Sequence, residues 1–362
     1  MKKTILTLVM SASMIFTMAA DLYVNGSGNA NTYPTIQGAV NAAASGDNIY
    51  VATVGTYSEN VTITNKTLFI IAAVADEEFT LSGSFTLSPG TGNEVTIIGM
   101  YNGNISTGSS SAGTVNIISS FASSISNTSG YLKMNVYDCE VTNSFSIDNG
   151  HVKGCAILGG LSINNDAGAN GDTIRIMGNH IEGGLNWGSS YAYFEICNNY
   201  VENITNTSHT KAITFSNLQT TPGGTNLIAN NTIISSQYYT SSSSSYRPHG
   251  IYFNSGVNVG QNLVIVNNYI NVQNTYSNSY SGNAIYSYSA MSNALVANNY
   301  WYAYQGFSYN FTNSSLVDNG TSSVSWTYNY TTGVLTSGTN MGLDQIEYRD
   351  INNTRNDIGT SG

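Results

Sequence analysis

One short pattern recurs along the chain and restricts the folds open to it. An apolar residue is followed three positions later by Asn or Cys, and two positions after that by a second apolar residue. Successive copies lie 16 to 37 residues apart. A unit of constant internal spacing, with variable stretches between copies, is typical of a solenoid, in which equal coils stack and loops of free length leave on one side. The Asn or Cys positions are Cys139, Cys155, Asn179, Asn199, Asn231, Asn268 and Asn299.

The pattern favours a parallel β-helix over other repeat folds. β-Propeller blades repeat more evenly and leucine-rich repeats need Leu at fixed spacing, and the sequence shows neither. In a β-helix each coil stacks about 4.8 Å from the last, so the recurring Asn side chains would point inward and hydrogen-bond to one another. We therefore interpret the Asn and Cys column as structural. For Cys139 and Cys155 the spacing permits either a disulfide or stacked free thiols.

Composition excludes several classes of protein. Only 8% of the 362 residues are charged, against about 25% in typical proteins, but 41% are hydrophobic, which is too many for a disordered chain. The net charge of -10 has the wrong sign for attraction to nucleic acid or anionic membranes. We expect no nucleic-acid partner and no membrane insertion.

The first 20 residues have the pattern of a bacterial-type secretory signal. A positive Met1-Lys2-Lys3 precedes a mostly apolar run, and Thr17 to Ala20 offers small residues for cleavage. The predicted organisation is a signal peptide at 1–20, a β-helix at 21–340 and a tail at 341–362 that packs on the last coils. The predicted location is extracellular or at the cell surface.

The start of the predicted mature chain resembles a known superfamily. The run from Tyr33 to Gln37 leads into an Ala-rich helix at 38–44, then strands at Asn48–Val51 and Val61–Ile63. It resembles the opening of right-handed parallel β-helix proteins of the pectate-lyase-like superfamily, and Arg355 to Gly359 resembles the ending of many secreted bacterial β-helix proteins. Thr360 and Ser361 depart from that ending, where an aromatic residue is usual.

The resemblance implies an all-β, right-handed parallel β-helix whose N-terminal α-helix caps the open end of the solenoid. It does not imply one activity, because the superfamily includes lyases, hydrolases, esterases and adhesins.

Five residues are candidates for catalysis. Glu182 and Glu202 each follow an Asn of the column by three positions, in adjacent coils. They could divide acid and base roles or share Ca²⁺. The alternative is that they are solvated side chains that splay apart. Lys211, Arg247 and His249 lie in or after insertions that should emerge beside them. In β-helix polysaccharide lyases, Lys or Arg neutralises a uronate carboxylate and a basic side chain abstracts the proton. A lyase or glycoside hydrolase is therefore one hypothesis, and a polar loop surface is the alternative.

Tyrosine-rich loops are the broader signal. Tyrosine rings with a polar tip suit sugar faces and contact surfaces, although some must simply cover the solenoid flank. Our leading hypothesis is binding of a polysaccharide or surface glycan of little charge, with no cofactor; apart from Ca²⁺ we expect no metal, since no His/Cys metal-ligand spacing is present. A third hypothesis is a self-assembling or adhesive structural protein that associates laterally. The candidate contact residues are Tyr238, Tyr239, Tyr246, Tyr276, Tyr280, Tyr286, Tyr302 and Tyr304.

Overall fold

A computed structural model gives the fold over most of the chain. It describes residues 19–25, 31–164, 166–189, 191–205, 210–217, 224, 226–237, 247–254, 263–274, 282–288, 291–292, 294–303, 305–307, 311–312, 315–317, 328–329 and 334–335. Residues 1–18 of the predicted signal peptide and the predicted tail at 341–362 lie outside this range. So do most candidate tyrosines, namely Tyr238, Tyr239, Tyr246, Tyr276, Tyr280 and Tyr304.

The described strands pair almost entirely in parallel and stack in three rows. From Asn48–Val51 onwards, successive strands of these rows fall in different rows, and each pairs with its equivalents in the neighbouring coils. The predicted stack of parallel strands is thereby confirmed, and the architecture is all-β and consistent with a parallel β-helix. The second and third rows are continuous where two long strands run through the corner between them, Met100–Thr107 and Phe121–Ser126.

The first row is a 14-stranded sheet. In spatial order its strands are Thr32–Tyr33, Asp21–Val24, Asn48–Val51, Leu68–Ala72, Glu94–Ile98, Gly113–Ile118, Leu132–Tyr137, Gly150–Lys153, Thr173–Met177, Tyr193–Cys197, Asn226–Ala229, Leu263–Val266, Leu295–Ala297 and Ser315–Val317.

The second row contains, besides the two long strands, Thr56–Tyr57, Phe79–Leu81, Glu140–Val141, Ala156–Ile157, His180–Ile181, Tyr200–Thr205, Thr232–Gln237, Tyr269–Asn274 and Tyr300–Tyr302. The third row adds Asn60–Thr64, Ser84–Ser88, Phe145–Ile147, Leu161–Ile163, Leu185–Trp187, Lys211–Phe215, His249–Phe253, Asn283–Ser287 and Gln305–Phe307. Outside the rows, Met291–Ser292 pairs with Phe311–Thr312, and Tyr328–Asn329 pairs antiparallel with Val334–Leu335.

Period-two alternation places the apolar side chains of each row inside the solenoid. In the third row, Trp187, Phe215 and Phe253 occupy one register position in three successive coils. All three are fully buried, and the Phe215 and Phe253 rings stack with centroids 4.9 Å apart. Because equivalent residues of neighbouring coils touch directly, the core is a set of continuous columns.

The helix predicted at residues 38–44 is present at Ile36–Ala42 and begins two residues earlier than predicted. Thr35 Oγ1 accepts a hydrogen bond from the Gly38 amide at 3.0 Å, which is the geometry of an N-cap. The Glu59 carboxylate accepts the amides of Ile36 and Gln37, each at 2.9 Å. These contacts satisfy amide groups at the helix N-terminus that have no partner within the helix, so the helix starts at Ile36. A second, 3₁₀ helix spans Ala167–Ala169.

Within the described residues, no helix is long and apolar enough to cross a membrane.

Candidate functional site

The recurring asparagines form a hydrogen-bonded column inside the corner between the first and second rows. The Nδ2 atom of each donates to Oδ1 of the next at 2.9–3.0 Å, from Asn179 through Asn199 and Asn231 to Asn268 and Asn299. Each Nδ2 also donates to a backbone carbonyl of the preceding coil, as Asn231 does to Ile196 at 2.8 Å. With every side chain hydrogen-bonded in this way, the column has a structural role.

The cysteines that begin this column carry free, buried thiols. Cys139 and Cys155 lie in adjacent coils, where the interaction between the two thiols raises the pKa of Cys139 and lowers that of Cys155. Cys197 lies on the outer side of the first row, and burial raises the pKa of its thiol to about 12. Buried thiols of this kind act as small hydrophobic groups.

On the outer face of the third row, two register columns bring polar and aromatic side chains from four coils together. One column runs from Asn186 through Thr214 and Tyr252 to Tyr286. The other places Lys211 next to His249. We call the side chains of Lys211, His249, Tyr252 and Tyr286 the third-row cluster.

The third-row cluster is held together by ring stacking and a cation–π contact. The Tyr252 and Tyr286 rings are parallel within 4°, with centroids 5.4 Å apart, and the His249 ring lies 4.7 Å from that of Tyr286. Lys211 Nζ lies 3.7 Å from the Tyr252 ring centroid. Because Lys211 and Tyr286 cover the two faces of Tyr252, that ring presents its edge and hydroxyl to solvent.

Burial changes the acid–base chemistry of this cluster. Desolvation lowers the pKa of the Lys211 ammonium, because burial disfavours the charged form. Burial also raises the pKa of Tyr252, with smaller contributions from the neighbouring Tyr286 and Tyr288. The Lys211 shift favours the neutral amine, which can accept a proton, and the Tyr252 shift favours the neutral phenol, which can donate a hydrogen bond.

A second cluster lies on the outer face of the second row. His180 and Glu182 are two positions apart in one coil, and Glu202 lies beside Glu182 in the next. His180 Nε2 is 3.8 Å from Glu182 Oε1 and 3.9 Å from Glu202 Oε1. The Glu202 contact raises the pKa of His180, and His180 in turn lowers the pKa of Glu202. Tyr200 donates its hydroxyl to Glu202 Oε2 at 3.0 Å. We call His180, Glu182, Glu202 and Tyr200 the second-row cluster.

The five candidates for catalysis therefore divide between two rows. Glu182 and Glu202 belong to the second row, whereas Lys211 and His249 lie in the third. His249 is only 5% exposed, while Arg247, two residues earlier, is exposed. A second-row strand ends at Thr205 and a third-row strand begins at Lys211, so the five candidates do not share one row of strands. That they line one wall stays a prediction.

The described candidate tyrosines also separate. Tyr286 belongs to the third-row cluster, whereas Tyr302 is 50% exposed at the end of the second row. Sequence reasoning missed Tyr252 and His180. Alternation would have found both, because His180 shares a face with Glu182, and Tyr252 precedes the buried Phe253 as Tyr286 precedes the buried Ser287.

A cavity of about 550 Å³ opens on the outer face of the first row. Its lining includes Tyr137, His151, Lys153 and Arg175. Arg175 Nε is 2.7 Å from Glu195 Oε2, and Arg175 Nη1 lies 3.2 Å from His151 Nε2. Burial, followed by the charge of Arg175, lowers the pKa of His151. The guanidinium is thus engaged by side chains of its own sheet.

No protein-family model, no curated protein and no solved structure matches this chain.

Proposed function

We propose that the chain is a secreted, right-handed parallel β-helix protein of the pectate-lyase-like superfamily, located outside the cell or on its surface. The stacked parallel rows and the opening sequence from Tyr33 to Gln37 support this assignment. The signal-like first 20 residues support export. Ile36, Ala39 and Val40 of the helix are buried, which supports its role as a cap at the N-terminal end of the solenoid.

The proposed activity is binding of an uncharged or weakly charged polysaccharide along the outer face of the third row. The observation that carries it is the column from Asn186 to Tyr286, which repeats polar or phenolic groups once per coil. Because the groups recur at one spacing along the solenoid, they can contact successive units of a linear polymer such as a polysaccharide. Hydroxyl and amide groups can donate to and accept from sugar hydroxyls, while Lys211 adds donors beside Tyr252.

The test is retention of the purified protein on a panel of insoluble neutral and uronate polysaccharides. On the neutral glycan that retains the protein, we expect Tyr286→Ala to weaken binding at least about tenfold, or about 1.4 kcal/mol. The variant removes a hydroxyl and unstacks Tyr252, and truncating an aromatic residue central to a contact surface commonly costs more than about 1 kcal/mol. The matched control is Tyr101→Ala, which unstacks another outward ring, 4.8 Å from Phe121, on the second row.

Equal losses in Tyr286→Ala and Tyr101→Ala, or no retention on any glycan, would contradict the proposal. A folded state of each variant is checked by its thermal melting profile.

A polysaccharide lyase is the second candidate, and the desolvated Lys211 favours it. A lysine whose pKa is lowered by burial is a better general base than an exposed one. Here Lys211 would abstract the proton, and the exposed Arg247 would face a uronate carboxylate. Unsaturated product from a uronate polymer, absent in Lys211→Ala and retained in Glu202→Gln, would establish this activity in place of simple binding.

A further inference from the structure

The second-row cluster brings three different metal-ligating side chains to one point. One donor atom from each of His180, Glu182 and Glu202 lies within 4.8 Å of the other two. His180 and Glu182 come from one coil, two positions apart, and Glu202 comes from the next coil, at the position equivalent to Glu182. This convergence therefore follows from the register of the solenoid.

We propose that His180 Nε2 and one carboxylate oxygen each from Glu182 and Glu202 bind a divalent transition-metal ion of the zinc type. Around tetrahedral Zn²⁺, ligand atoms about 2.0–2.2 Å from the metal lie about 3.4 Å from one another. The distances of 3.8 and 3.9 Å from His180 Nε2 are close to this value. Rotation of the two carboxylates about their terminal torsions, which are soft, can shorten these separations to about 3.4 Å.

The donor set selects the class of ion. Imidazole suits zinc and its transition-metal neighbours, whereas Ca²⁺ and Mg²⁺ are bound by oxygen atoms. Two carboxylates neutralise a dication, and three protein ligands leave a coordination position for water. His180 is 50% exposed and Glu182 is 42% exposed, so an ion can enter directly from solvent.

Tyr200 contacts two of the proposed ligands, Glu202 and His180, and orients both of them. Its hydroxyl donates to Glu202 Oε2, which leaves Oε1 as the oxygen near His180. Its ring meets the His180 imidazole edge-on, with centroids 4.8 Å apart and an interplanar angle of 81°. Such contacts fix the orientation of ligands and commonly change metal affinity by about 10- to 100-fold.

The test is titration of the purified protein with ZnCl₂ and with CaCl₂ by calorimetry, with Co²⁺ absorption as a probe of coordination. We expect one zinc site, bound at least about tenfold more tightly than calcium. His180→Gln and Glu202→Gln should each weaken zinc binding at least about tenfold, and Tyr200→Phe should weaken it with all three ligands still present. Matched controls are His151→Gln and Glu195→Gln, which remove the same groups from the first row.

Three results would overturn the assignment: no saturable zinc binding, binding that survives His180→Gln, or calcium bound as tightly as zinc. The altered side chains point outward, so the variants should remain folded, and circular dichroism checks this. Because the titration uses metal alone, its outcome does not depend on whether the third row binds a glycan.

Discussion

At the scale of single residues, buried polar groups decide where this solenoid is vulnerable. The Asn column satisfies its own donors and acceptors together with those of neighbouring backbone. Asn231, which is fully buried, accepts from the amide and Nδ2 of Asn199 and donates to Asn268 and the Ile196 carbonyl. Removing one member therefore leaves groups of two neighbouring coils without partners.

We expect Asn231→Ala to lower the free energy of unfolding by about 2–4 kcal/mol, through lost hydrogen bonds, orphaned buried groups and a cavity. Denaturant unfolding measures this change. The control is Asn186→Ala on the exposed face of the third row, where we expect a change within about 0.5 kcal/mol. If both variants lowered the free energy of unfolding equally, the buried column would contribute no more to stability than an exposed Asn does.

Asp148 is the opposite case, a carboxyl that the fold satisfies poorly. It is 3% exposed, and among the described residues its Oδ1 has no hydrogen-bond partner. Burial raises its pKa to about 6, opposed by a hydrogen bond from Asn164 and assisted by the charge of Asp166. Ionising this side chain in the folded state therefore costs stability.

The folded pKa lies above the unfolded one, so the folded state holds the proton more tightly and stability falls as pH rises from about 4 to about 6. Asp148→Asn should remove this dependence and stabilise the protein at pH 7 by up to about 3 kcal/mol, with little change at pH 3. Unfolding curves across this range test it, with Asp76→Asn on an exposed turn as control. A destabilised Asp148→Asn at pH 7 would contradict the prediction.

At the scale of elements, the corner between the first and second rows is a fixed local device. The residue just before each column position has a left-handed backbone, with φ between 52° and 70°. Asn, Asp and Gly are the residues that adopt this conformation readily. The residues are Asp138, Gly154, Gly178, Asn198, Asn230, Asn267 and Asn298.

Gly178 tests this account, because a Cβ there meets nothing within 4 Å and only the backbone conformation is at issue. Gly178→Asn should change the free energy of unfolding by less than about 0.5 kcal/mol, whereas Gly178→Val should cost about 2 kcal/mol, since a β-branched residue resists positive φ. Thermal or denaturant melting distinguishes them. Equal costs would mean that the left-handed turn does not set this corner.

At the scale of the whole molecule, contacts run almost entirely between adjacent coils. Such a structure need not open all at once, because stability is a sum over coils and the interfaces between them. Strands in the middle of the first row have several coils on either side, whereas Leu295–Ala297 is followed, within the described residues, by one further strand of that row, Ser315–Val317.

Hydrogen exchange should therefore be graded along the axis. We expect amides of Thr173–Met177 in the middle of the first row to exchange at least about tenfold more slowly than those of Leu295–Ala297 towards its end, as local opening costs less there. Mass spectrometry of exchanged peptides measures the gradient. Uniform protection would indicate a single cooperative unit instead.

The sequence by itself determined the repeat, the parallel strands and the helix near the N-terminus. Each of these features depends on residues a few positions apart, such as Ile176, Asn179 and Ile181. Local residue spacing is therefore sufficient to predict it. The inward direction of the column followed from the same alternation. Pairing of Glu182 with Glu202 was also predictable, because only 20 residues separate equivalent positions in those coils.

Only the tertiary structure decided which outward side chains meet. Glu202 and Lys211 are close in sequence but lie in different rows, whereas Lys211, Tyr252 and Tyr286 come together from three coils. Insertions of unequal length separate those coils. Local residue spacing therefore does not predict which residue after an insertion pairs with the strand before it. The physical reason is that register between coils is set by the long-range stacking of the core and its hydrogen bonds, so the surface sites follow from the assembled solenoid.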